Sequence, residues 1–90
     1  MFSGEDRLPV KLKLGRLSHS ILLEEYPMAE AYITPADDPD HWIFSSDVAS
    51  YLGIGRFVLG LYHDIEVLGN PDFVAYIYNK VKDMVEKIDK

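Results

Sequence analysis

The chain contains no cysteine, which excludes disulfides, thiolate metal ligands and cysteine nucleophiles together. That lack fits a reducing compartment, and the cytoplasm is the expected location. No apolar run approaches membrane-spanning length, and the opening MFSGEDRLP is too short and polar for a signal peptide. Basic residues are missing from the whole stretch between Arg16 and Arg56, where Glu24, Glu25, Glu30, Asp37, Asp38, Asp40 and Asp47 all fall. Nucleic-acid affinity comes largely from Lys and Arg neutralising phosphates. A chain of net charge −6 with such a stretch repels a phosphate backbone, so no direct nucleic-acid contact is expected. These acids read as a solubilising surface.

Histidine is scarce as well. His19, His41 and His63 lack the i, i+3 or i+4 spacing of ligands on one helix. A site assembled through space with Asp37, Asp38 or Asp40 stays open. DDPDH lacks the spaced oxygens and the glycine of an EF-hand loop, and no serine sits in a G-x-S-x-G elbow. The expectation is a non-enzyme with no metal and no cofactor.

What is present supports one small domain: ninety residues, 48% of them hydrophobic, are enough for an ordinary core. Residues 1–8 read as a linker or an appended start, and 9–90 as a single domain. PVKLKL (Pro9–Leu14) alternates apolar residues with Lys11 and Lys13, the pattern of a strand buried on one face. Ser18 is placed to cap a short helix, SHSILLEEY, which Pro27 ends. Ala29–Ile33 and His41–Phe44 are short β-prone runs around TPADDPD, a turn-rich connection. After a cap at Ser46 or Asp47, Ile54, Phe57, Val58 and Leu61 fall at i, i+3, i+4 and i+7, a helical stripe. Ile65 and Val67 alternate with Glu66 as a last strand. Asn70-Pro71 then opens a helix with the apolar stripe Val74, Ile77, Val81, Met84, Val85 and Ile88.

The order is β-α-β-β-α-β plus a C-terminal helix. That makes an α+β, ferredoxin-like antiparallel sheet with its helices on one face. Lys11 and Lys13 are placed to oppose Glu30 and Glu66 across neighbouring strands on the other face.

The glycines of YLGIGRFVLGLYHDIEVLGNP (Tyr51–Pro71) are the obvious candidates for a phosphate cradle. A dinucleotide fingerprint needs G-x-G-x-x-G directly after a strand. Here Gly55 is separated from Gly60 by two residues too many, and the stretch before it already reads as helix. No Lys-Ser or Lys-Thr follows, as a P-loop requires. Gly53, Gly55 and Gly60 read instead as thin places on the second helix, where a neighbour can approach. The first turn, LGRLSHSILLE, faintly resembles the acylphosphatase loop through Gly15, Arg16 and Leu17. It departs at the residues that do the chemistry: His19 replaces a loop glycine and Leu23 the arginine.

GRFVLGLYHDIEVLGNPDF resembles the C-terminal extension, or WCX domain, of bacterial WYL-domain transcriptional regulators. Phe57 stands at the aromatic position of that family's pattern and Leu59-Gly60-Leu61 match its Leu-Gly-Phe. Ile65-Glu66-Val67-Leu68 match the strand, and Pro71 matches the following proline with a displacement of one or two residues. With the upstream strand and ILLEEYP helix, the resemblance spans residues 9–88. Tyr62 stands where the family has a glycine, which suggests a helix exit through His63-Asp64.

The resemblance implies a fragment of a regulator whose helix-turn-helix does the DNA binding and whose WYL domain senses a small-molecule or nucleic-acid effector. The extension itself contributes dimer contacts and coupling. The expected partners are therefore a second copy and the WYL and helix-turn-helix domains of the same regulator. A standalone small-molecule-sensing module is the alternative. Aromatic and Arg residues favour partner surfaces, so Trp42, Arg56, Tyr76 and Tyr78 are the candidate interface or effector residues.

Overall fold

A computed structural model describes residues 8–88. Most of the expected linker, residues 1–7, and the last two residues lie outside the described residues, as does any structure assigned to them. Leu8, expected in the linker, is the first residue of a strand.

The elements run β1 (Leu8–Leu14), α1 (Arg16–Glu25), a 3-10 segment (Pro27–Tyr32), β2 (Ile33–Pro35), β3 (Trp42–Val48), α2 (Tyr51–Gly60), β4 (Ile65–Val67) and α3 (Pro71–Ile88). The result is an α+β fold around one four-stranded sheet in the order β2-β3-β1-β4. Each neighbouring pair is antiparallel.

The alternation in PVKLKL decides which way β1 faces. Val10, Leu12 and Leu14 are buried, while Lys11 is exposed and Lys13 half-buried. Register carries that division across the sheet: Leu12 pairs with Phe44 and Val67, and Leu14 with Trp42 and Ile65. Leu22 from α1, Phe57 and Val58 from α2, and Phe73 from α3 close over the inner face. The outer face keeps Lys11, Ser45, Asp47, Thr34 and Glu66 exposed. Lys13 pairs with Glu66 in register. Lys11 instead faces Ser45, because Glu30 lies in the 3-10 segment and not in a strand.

Several boundaries differ from the sequence reading. Ala29–Tyr32, expected as strand, belong to the 3-10 segment and only Ile33 joins β2. Pro27 at its first turn presets a helical φ, and Met-Ala-Glu-Ala prefers helix to strand. β3 runs beyond Phe44 to Val48 because all seven residues of β1 offer it a partner. The cap of α2 therefore moves to Ser50, whose side chain accepts the Leu52 N–H at 3.0 Å.

The largest difference is in α3. Phe73, outside the expected stripe, is 0% exposed, whereas Val74, Val81, Met84, Val85 and Ile88 are all exposed. The helix leaves the body after its first two turns, and everything from Tyr78 to Ile88 is exposed.

Candidate interaction surfaces

At the joint between β1 and α1, Gly15 is the residue preceding the helix and has no side chain to cap it. A donor-rich helix start without a cap needs an acceptor from elsewhere. Asp64, the residue before β4, supplies it. Its Oδ2 accepts the Ser18 N–H at 2.6 Å, and its carbonyl accepts the Gly15 N–H at 3.0 Å. Ser18, expected to be the cap, is fully buried inside the first turn, where its hydroxyl accepts the Gly15 N–H at 3.1 Å.

A β-carbon on Gly15 would lie 2.8 Å from the Asp64 Cγ, so the glycine makes room for the carboxylate. Partial burial acts to raise the Asp64 pKa, but the Ser18 hydrogen bonds outweigh it and hold the group below its ordinary value. The Ser18 amide of this first turn is thus already bonded to a carboxylate of the same chain.

The expected candidates fall in separate places. Trp42 opens β3, half-buried, and its ring stacks on His19 of α1 with centroids 4.0 Å apart and planes within 3°. Beside it Arg16 donates to Asp40 at 2.8 Å in an exposed pair, worth little in water. Asp38 accepts from His41 Nδ1 at 2.6 Å, and that bond holds the Asp38 pKa below its ordinary value. Among the described residues no cluster of His and acidic side chains is arranged to hold a metal ion.

Arg56 is exposed on α2, at an open groove with Glu25, Tyr26, Phe57 and Leu61. Tyr76 lies elsewhere, between helices: its ring packs near Tyr51 and Phe73 and lies 2.7 Å from where a Gly55 β-carbon would be. Lys80 sits over the same ring at 5.3 Å. Tyr78, two residues on, is 67% exposed. Only Gly55 of the three helical glycines is in tight contact, and its neighbour is a ring and not backbone. Gly53 has one atom at 3.9 Å and Gly60 nothing within 4 Å.

Two apolar surfaces stand out from this geometry. One is a cleft of about 280 Å³ on the inner sheet face between the 3-10 segment and α2. Tyr26, Met28, Tyr32, Phe44, Val48 and Ile54 line it, with Ser46 beside them. The other is the projecting half of α3. Sequence reasoning found the apolar stripe of that helix and placed the candidate interface residues Tyr76 and Tyr78 on the helix, but did not show which of its apolar residues are buried. It missed the Asp64 clasp, for which the signal was a helix starting at a glycine opposite an acid in register.

Among the described residues no helix is long and apolar enough to cross a membrane. Comparison with protein-family models, curated proteins and solved structures finds no match.

Proposed function

We propose that this chain is a ferredoxin-like, non-catalytic module that works by self-association. In that role it resembles the C-terminal extension of WYL-type transcriptional regulators, joining two copies so that effector sensing in one domain is coupled to DNA binding in another. The observation that carries the reading is the exposed apolar face of α3. Apolar patches left in water mark interaction sites in small proteins.

The strand order β2-β3-β1-β4 with antiparallel neighbours supports the split βαβ arrangement. Occupation of the first-turn amide by Asp64 favours a structural role for that loop over phosphate chemistry. The acidic stretch between Arg16 and Arg56 suits a domain that leaves DNA to a partner domain.

Fusion to a DNA-binding domain that is monomeric by itself tests this role. The fusion is expected to bind a two-half-site operator more tightly than the DNA-binding domain alone, with no gain on a single half-site. Equal binding on both would contradict the proposal.

A second reading, a sensor of small apolar molecules, is favoured by the cleft beside Tyr26 and Tyr32. Its volume is just under the usual range for ligand sites, and Tyr26, Tyr32 and Ser46 stand among its otherwise apolar lining residues. A thermal-shift screen of small aromatic and aliphatic acids checks it. Stabilisation that disappears in Ser46→Val or Tyr32→Leu supports the sensor, and no shift across the panel argues against it.

A further inference from the structure

α3 carries two apolar rows, and the body uses only one. Phe73, Tyr76 and Ile77 pack toward the core. Val74, Tyr78, Val81, Val85 and Ile88, 45%, 67%, 40%, 56% and 74% exposed, form the second row. Their spacing alternates four and three residues, which is the spacing of the inner positions of a heptad repeat. At 3.6 residues per turn this row lies about a quarter turn around the helix from the body-facing one. None of its five residues is charged. The charges sit elsewhere on the helix, where Lys87 is paired with Asp83 in the same helix at 3.4 Å.

We infer that α3 pairs in parallel with α3 of a second copy through this row, which rests on the reading of the chain as a self-associating module. Area supports the occupant. The exposed parts of these side chains and of Met84 amount to on the order of 500 Å² per copy, so a pair that covers them fully buries on the order of 1,000 Å², the lower limit for a specific interface. Charge selects the orientation. Lys82 flanks the row, and in a parallel pair the opposite flank presents the uncharged, exposed Met84 toward it. An antiparallel pair brings Lys82 against its own counterpart, a like-charge contact. The quarter-turn offset then leaves the two bodies on opposite sides of the helix pair. An interface at the lower end of the specific range is expected to give self-association that depends on concentration.

The absence of cysteine makes the arrangement readable by cross-linking. Val81→Cys, on the row, is expected to form a disulfide-linked dimer under mild oxidation, and Asp83→Cys, off it, is not. Val81→Glu, at an exposed position, is expected to keep its helical circular dichroism and to weaken association roughly tenfold or more in sedimentation.

Dimers that persist in Val81→Glu, or equal cross-linking of the two cysteine variants, overturn the seam while self-association stands. Cross-linking of Val81→Cys mixed with Val85→Cys, but of neither alone, overturns the parallel orientation. A wild-type chain that is monomeric throughout overturns both the seam and the module reading.

Discussion

Gly55 of α2 and Tyr76 of α3 approach so closely that a β-carbon on the glycine would lie 2.7 Å from the tyrosine ring. The contact lies two residues before Tyr78, where the fully exposed stretch of α3 begins. A glycine inside a helix costs about 1 kcal/mol relative to alanine, so Gly→Ala ordinarily stabilises. Gly55→Ala is expected to do the opposite, because overpacking costs about 1–3 kcal/mol and the Tyr76 ring is backed by Tyr51 and Phe73. Gly60→Ala, with open space around it, is expected to be neutral or stabilising by up to ~1 kcal/mol. Urea denaturation of both variants measures the difference. Equal responses would show that the Gly55–Tyr76 contact does not constrain the packing.

Phe73 and Val85 separate the two uses of α3. Phe73→Ala removes a side chain that is 0% exposed and is expected to cost about 3–5 kcal/mol, a large share of a small domain's stability. Val85→Ala, at an exposed position, is expected to change monomer stability by no more than about 0.5 kcal/mol. Denaturation at low concentration, where association does not contribute, reads both.

The Asp64 clasp predicts a pH dependence with a definite sign. Burial favours the neutral acid, but the Ser18 bonds prevail and the folded-state pKa lies below its unfolded value near 3.8. The stabilisation is therefore fully present above that value and is lost as pH falls through the lower folded value. Asp64→Asn is expected to destabilise by about 1 kcal/mol at pH 7, the scale of a lost helix cap. The gap to wild type is expected to narrow in melts taken below pH 3.8. A gap independent of pH would assign the effect to shape and not to the charge.

Trp42 is the single tryptophan and stacks flat on His19. His19→Ala is expected to expose the indole, moving its emission to longer wavelength, at a stability cost of about 0.5–1.5 kcal/mol. Unchanged emission in the variant would contradict the stack.

Local chemistry made much of this fold legible. Alternation in PVKLKL, Pro27 as a helix stop and Asn70-Pro71 as a helix start all recur in the structure. Asn70 Oδ1 accepts the Phe73 N–H at 3.2 Å, as a cap should. What stayed hidden depends on contacts distant in sequence. β3 extends because β1 offers it a full ladder, and Asp64 caps α1 only because β1 and β4 pair side by side. The stripe of α3 was legible as apolar, but periodicity alone does not distinguish a face turned to the core from one left bare. Exposure of Val74, Val81 and Val85 beside a buried Phe73 makes that distinction.

Whether the module joins two copies is read by sedimentation velocity of the wild-type chain over a wide concentration range. A rise from monomer to dimer with increasing concentration, and no species beyond the dimer, is the expected result. A single monomeric species up to several hundred micromolar, where any Kd tighter than about 1 mM already populates a dimer, would contradict it.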